Sequence, residues 1–454
     1  MDDTIAAIAT PLGQGGIGII RLSGPRAKEI AGRIFVPKKP GKALQDRRLV
    51  LGNLIDPSTG AVLDEVLISL MAAPLSYTRE DVVEINSHSG PLLLSKILQV
   101  VLQTGARLAR PGEFTFRAFM NGRIDLTQAE AVVDLIRSRS EKGLAFAAKQ
   151  LSGGFAEQIE GLRQRGLDLL ARIEAAIDFP EEADSIVGAE ESRSLEEKLL
   201  PAIERLVTAH KQRKIWMDGI ATVIVGRVNA GKSSLLNRLL NEERALVTPI
   251  PGTTRDVVES TIHIEGIPLR LMDTAGFRKG RGRIEHLGIR KTEQRLSEAD
   301  LALVVIDQSR PLSGVDRELL ARTGEKSLTI LNKSDLPSRI GRNTEAKMRK
   351  ERRVVKTSAL TGSGLEDLRR AIVEMVVLDG EDLLHVAPNM RQRDELLEAE
   401  ESFRNAARNL KEELPLEIVA ADLHAGVDGL GRIVGKGSPE DVLDRIFSEF
   451  CIGK

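Results

Sequence analysis

Gly226-Arg-Val-Asn-Ala-Gly-Lys-Ser233 lies between the apolar run Ile220–Val225 and the helix-compatible stretch Ser234–Leu240. A strand, a glycine loop and a helix in that order are what a phosphate-binding loop requires. The middle of the chain is thereby committed to an α/β fold. Gly226 and Gly231 allow close wrapping of the backbone, so that the N–H groups from Asn229 and Ala230 through Ser234 converge with the helix N-terminus on a polyphosphate. Lys232 is expected to reach the β- and γ-phosphates as the catalytic cation, and the Ser233 hydroxyl to hold Mg²⁺.

Three later motifs bear on the metal and the base. Asp273-Thr274-Ala275-Gly276 ends the apolar stretch Leu271-Met272. It places a carboxylate near the Mg²⁺ shell and a Gly276 N–H beside the γ-phosphate, with Thr254 completing the expected magnesium set. Asn332-Lys333-Ser334-Asp335 follows the expected strand Ser327–Leu331, and Thr357-Ser358-Ala359 follows Val354-Val355. A carboxylate at Asp335 can accept from the N1–H and exocyclic amine of guanine, a donor pair that adenine lacks. Each short motif is weak alone, but their common order points to GTP.

The position after Gly276 is Phe277. In Ras-type switches a glutamine there orients the attacking water, which phenylalanine cannot do. Hydrolysis is therefore slow, or another group positions the water. Glu285 could do so through a second water, or it is a solvated loop acid. Arg278, Arg281 and Arg283 share a charged loop in which no internal arginine finger stands out.

Asn229 and the segment Pro249–Asp256 resemble the TrmE–Era branch of GTPases. The resemblance implies a potassium ion held by Asn229, Thr248, Ile250 and Thr253, which replaces an arginine finger electrostatically. The family usually has proline where this chain has Val228.

A chain of 454 residues predicts two to four domains. With 65 basic and 66 acidic residues the net charge is −1, so no global field draws it to nucleic acid or a membrane. No apolar run is long enough to span a bilayer, and Met1-Asp-Asp lacks a secretory n-region, so a cytoplasmic location is expected. The single cysteine, Cys451, excludes an internal disulfide and a cysteine-rich zinc site. At 3% aromatic residues, base-stacking platforms are poorly provided for.

The expected architecture is multidomain, α/β and α+β. Residues 1–118 read as α+β, with strands at Thr4–Thr10, Ile17–Leu22 and Val62–Met71 and a helix at Pro91–Thr104. Residues 125–178 and 192–213 carry helical spacing, as do Arg391–Leu410 and the stretch from Glu417. A last helix is expected with Ser438 as cap and Pro439 at its first position. Residues 119–213 and 379–454 then form one helical domain from two segments, with a Ras-like nucleotide domain at 214–378 inserted between them.

The whole chain resembles the bacterial tRNA modification GTPase family MnmE (TrmE). The resemblance is carried by Thr4–Gly13, Gly15–Gly24, Tyr77–Glu84, Arg110–Phe119 and the ending Phe450-Cys-Ile-Gly-Lys454. It implies an N-terminal domain that dimerises and binds 5-formyl- or 5,10-methylene-tetrahydrofolate through Arg21, Glu84, Arg123 and Lys454. It further implies a flavoprotein partner, MnmG (GidA), and modification of carbon 5 of the wobble uridine in certain tRNAs. Arg123 stands where lysine is common in the family, and Arg79 where glycine is usual. Cys451 is read either as a catalytic thiol or as a buried structural cysteine; Gly453 and Lys454 argue against a prenylation box. The run Lys347–Arg353 is read either as a tRNA phosphate contact or as a solvated helix face. The rival class is an Era-like RNA-binding factor, for which Gly426-Val-Asp-Gly429 would be the glycine loop of a KH domain.

Overall fold

A computed structural model describes residues 2–11, 13, 15–39, 44–138, 140–182, 192–243, 260–272, 296–376 and 386–454. Contacts divide the chain into two units. One comprises Met1–Val133, Lys149–Ile203 and Glu395–Lys454; the other comprises Asp134–Ala148 and Glu204–Asp394.

In the first unit, period-two alternation builds a half-covered sheet. Its strands are β1 (Ile5–Ile8), β2 (Gly15–Ser23), β3 (Phe35–Pro37), β4 (Leu49–Ile55), β5 (Val62–Met71), β6 (Val82–Ser89) and β7 (Arg107–Leu108), in the order β3-β4-β5-β6-β2-β1-β7. Every neighbouring pair is antiparallel except β1 with β7. Val50 and Leu54 of β4 and Val66, Ile68 and Leu70 of β5 point inward, whereas Leu49, Leu51 and Leu67 face outward. Ile30 and Ile34 of the helix Ala27–Ile34, and Leu94 and Ile97 of the helix Pro91–Gln103, join the inward set in one core.

The expected helical stretch 125–178 is three helices, Leu126–Arg137, Glu141–Leu151 and Gly154–Asp178. The first break lies where Ser140 Oγ accepts from the Gly143 N–H, and the second at Gly153, which caps the long helix in the left-handed region at φ +92°. Helix Gly154–Asp178 lies against Leu416–Ile433 from beyond the nucleotide segment. Ion pairs link them, Glu160 with Lys436 just past the second helix at 2.9 Å and Glu174 with His424 at its middle at 3.0 Å. Gly426 and Gly429 lie inside helix Leu416–Ile433, so they are not a KH loop.

The last helix departs from expectation. It runs from Glu440 to Ser448 with Pro439, not Ser438, at the N-cap, and no side chain caps it. Pro439 is extended, and the Ser438 hydroxyl donates to the Arg432 carbonyl at 3.2 Å. The end of the preceding helix thus takes the hydroxyl expected to cap the next one.

The second unit holds a six-stranded sheet in the order β13-β12-β11-β8-β10-β9. The strands are β8 (Ile220–Val225), β9 (Ser260–Ile264), β10 (Ile267–Leu271), β11 (Leu301–Asp307), β12 (Ser327–Asn332) and β13 (Arg353–Lys356). All pairs are parallel except β10 with β9. β8 and β12 are buried along their whole length, as a sheet covered on both faces demands. Leu235, Leu239, Leu368 and Ile372 of helices Lys232–Glu243 and Leu365–Val376 fill one face. Leu320 and Met348 of helices Gly314–Arg322 and Arg342–Glu351 fill the other.

Candidate nucleotide and folate sites

The phosphate loop leaves the end of β8 and enters helix Lys232–Glu243, as expected. Asn229 adopts φ +63° and Gly231 φ +95°. A Cβ on Gly231 would lie 2.1 Å from Asn332 Nδ2, so only glycine lets the Asn332 segment approach the loop. Asn332 joins three segments: its Nδ2 donates to the Ala230 carbonyl at 2.9 Å, and its Oδ1 accepts from the Ala359 N–H at 3.1 Å. Asp335 Oδ1 accepts from Ser358 Oγ at 2.5 Å, and the Ser334 N–H donates to the Thr357 carbonyl at 3.0 Å. The phosphate loop, Asn332–Asp335 and Thr357–Ala359 thus converge at the C-terminal ends of parallel strands, where open α/β sheets bind ligands.

Lys232 Nζ donates to the carbonyls of Gly226 and Arg227, both at 2.7 Å. Burial lowers its pKa, and no carboxylate among the described residues contributes to the shift. A half-buried ammonium held by neutral carbonyls at a helix N-terminus suits a phosphate anion. Ser233, the residue expected to hold magnesium, lies in the first turn of that helix. Of the expected metal-site residues, Thr248, Ile250, Thr253, Thr254 and Asp273 lie outside the described residues, as do Thr274, Ala275, Gly276, Phe277 and Glu285.

The residues assigned to folate come together in the first unit. Arg21 of β2 stands opposite Glu84 of β6 and pairs with it at 2.9 Å. Arg21 also donates to the Gly453 carbonyl at 3.3 Å and lies over the rings of Tyr77 and Phe114. Arg123 stacks on Tyr77 with its guanidinium carbon 4.8 Å from the ring centroid. The C-terminal segment is bound along its backbone: Cys451 O accepts from Gly112 N, and Lys454 O accepts from Phe114 N at 3.2 Å. At Gly453, φ is +96° and a Cβ would lie 2.3 Å from the Ile8 carbonyl, so the tail lies directly against β1. Glu84 with two arginines beside an aromatic ring fits a flat, polar heterocycle carrying carboxylates.

Two sequence readings are corrected or refined here. Cys451 is exposed, so it is not a buried structural thiol. Arg79 adopts φ +61°, a region natural to glycine, and its guanidinium donates to the Asn121 carbonyl at 2.9 Å. The basic run is largely paired, with Arg349 to Glu345, Lys347 to Glu351 and Arg353 to Glu374, which favours a solvated face over phosphate contact.

Residues 4–123 match the family model described as GTP-binding protein TrmE N-terminus, and residues 126–451 match that of the MnmE helical domain. The chain is 44% identical to the tRNA modification GTPase MnmE of Geobacillus kaustophilus, covering 100% of this chain and 99% of that one. It is 46% identical to the protein of the same name from Moorella thermoacetica, with 100% of both chains covered. The chain belongs to the MnmE family of tRNA modification GTPases. No described helix is long and apolar enough to cross a membrane.

Sequence reasoning missed two features of this MnmE-family chain. Lys333 Nζ is held by Asp307 at 2.6 Å, a residue outside every motif. Arg117 is fully buried among Asp3, Glu80 and Glu113, and it anchors the helix that faces the tail. Its interior place was masked by a charged residue's usual preference for the surface.

Proposed function

We propose that the chain is a potassium-stimulated GTP hydrolase. With a flavin-dependent partner of the MnmG (GidA) kind, it installs a carboxymethylaminomethyl or aminomethyl group at carbon 5 of the wobble uridine of certain tRNAs. The observation that carries the nucleotide part is Asn332, which ties the phosphate loop to the base-reading loop at the carboxyl ends of the strands. Asp335 selects guanine, Lys232 exchanges its carbonyl partners for phosphate oxygens, and Ser233, Thr254 and Asp273 hold Mg²⁺. Asn229, Thr248, Ile250 and Thr253 hold K⁺, which offsets transition-state charge where no arginine finger does. Glu285 orients water through a second water.

In the N-terminal unit, Arg21, Glu84, Arg123 and Lys454 hold a 5-formyl- or 5,10-methylene-tetrahydrofolate. The folate supplies the one-carbon unit when bound, and exposed Cys451 lies in the same short tail as a candidate catalytic thiol. Domain limits at 118, 213 and 378, homodimerisation through the first domain and a cytoplasmic location belong to the same reading. The test is phosphate release in potassium and in sodium buffers at equal ionic strength, alongside nucleoside mass spectrometry of tRNA from cells lacking the protein. Potassium stimulation that Asn229→Ala abolishes while nucleotide binding persists is the expected result. Equal rates in the two buffers would refute the potassium site.

A further inference from the structure

We infer that Asp307, assisted by Gln308, is a positioning residue for guanine selection and acts through Lys333. The inference rests on the reading of Asn332–Asp335 as the base site. It deepens that reading by naming what sets the direction of the Asp335 carboxylate.

Asp307 is the last residue of β11 and stands opposite Asn332, the last residue of β12. Its Oδ2 accepts from Lys333 Nζ at 2.6 Å, while its Oδ1 accepts from the Ser309 N–H at 3.0 Å and the Ser309 hydroxyl at 2.6 Å. Burial pushes the carboxyl pKa up, but Lys333 and Ser309 more than offset this and hold it below the usual carboxylate range. Gln308 grips the same turn from its main chain and side chain. Its N–H donates to the Asn332 carbonyl at 3.1 Å, and its Nε2 to the Lys333 carbonyl at 3.4 Å and the Leu336 carbonyl at 3.5 Å.

That grip has a conformational purpose. Lys333 adopts φ +65°, a region lysine rarely populates. Such a residue stays there only when its surroundings over-determine it. Here the side chain is anchored by Asp307 and the flanking carbonyls by Gln308, so the chain leaves β12 in one direction. Asp335 follows two residues later; its carboxylate accepts from Ser358, while the neighbouring Ser334 and Leu336 N–H groups bond the Thr357 and Lys333 carbonyls. Release of Lys333 frees the turn, and Asp335 then loses its paired alignment with the N1–H and the exocyclic amine of the base.

Hypoxanthine has the N1–H but lacks the amine, so preference for guanine over hypoxanthine nucleotides reads the aim of Asp335 directly. Calorimetric titration of the full chain with GDP, IDP and ADP is the experiment, with steady-state GTP hydrolysis beside it. Asp307→Asn should weaken GDP binding about tenfold and IDP binding about twofold, because the lost contact is a hydrogen bond to a charged acceptor. The GDP-to-IDP preference then contracts about fivefold, KM rises and kcat changes by less than about twofold. Asp307→Asn combined with Lys333→Met should bind GDP no more weakly than Lys333→Met alone.

An unchanged GDP-to-IDP preference in Asp307→Asn, or additive losses in the double variant, overturns the inference. A wild-type chain that binds ADP as well as GDP overturns the guanine reading itself. Should Asp307→Asn fail to fold, Ser309→Ala removes only one bond to the same carboxylate. A smaller contraction there supports the inference, and none overturns it.

Discussion

The two sheets of this molecule place their candidate sites by different rules. In the parallel sheet, β8, β11 and β12 end on the same edge, and each delivers its functional residues in the few positions after its last apolar one. In the antiparallel sheet, Arg21 and Glu84 sit within strands, opposite one another, and the site is closed by a tail from the far end of the chain. One rule makes a site of consecutive residues. The other makes a site from cross-strand register and a long-range return. The first kind is read as a motif, whereas the second shows only once the fold exists.

The sharpest test of the motif-built site is Asp335→Asn. GTP affinity should fall by about 10⁴-fold and xanthine nucleotides should gain, because a site built to bond specific donors rejects a base lacking them. Competition binding measures this, and retention of GTP preference would break the contrast at its stronger end. Arg117→Met attacks the other sheet. It removes the cation held by Glu80 and leaves Glu113 and Asp3 with Arg107 alone, and the first unit should lose about 3–5 kcal/mol in chemical denaturation. The nucleotide unit's unfolding transition should be unmoved.

A third test separates the two sites directly. Arg21→Ala should weaken 5-formyltetrahydrofolate binding by about 10–100-fold, the loss of one or two charge-assisted hydrogen bonds, while GTP turnover stays the same. Removal of Cys451–Lys454 should do likewise. A fall in GTP turnover in either variant would show that the two sites are not separable in this way.

How much was legible follows the same division. The strand ahead of the phosphate loop, Asp335 and Ser358 were readable because local periodicity and a few adjacent residues carry them. Asp307 was not, since an aspartate after an apolar strand has no signature until Lys333 is seen beside it. Arg117 was invisible for a different reason: its three carboxylate partners are distant in sequence or read as surface charges. Ser438 misled because a serine before proline is a fair cap signal, and only the nearby Arg432 carbonyl explains why the hydroxyl turns away. The Arg21–Glu84 pair needed family resemblance, since nothing local marks either residue.

The smallest expected effect lies in the second unit. His210 Nδ1–H donates to the Pro388 carbonyl at 2.8 Å. Burial, reinforced by Arg393 and Arg213, lowers its pKa below the ordinary 6.5 despite that bond and Asp394. The unfolded chain therefore takes up a proton first as pH falls through about 6.5, and stability drops until the folded pKa is reached. His210→Gln should flatten this part of the pH–stability curve by less than about 1 kcal/mol, measured by thermal unfolding at pH 5 and 7.5.

The bond between Arg21 and Gly453 joins positions 432 residues apart. At about 5–20 residues per second of synthesis, the antiparallel sheet waits roughly 20–90 s on the ribosome before that strand of tail can reach it. During this interval the Arg21–Glu84 pair faces the cell without its cover, and the nucleotide unit has time to fold first. Completion of the pocket thus waits until the Gly453 segment, 432 positions after Arg21, has been made.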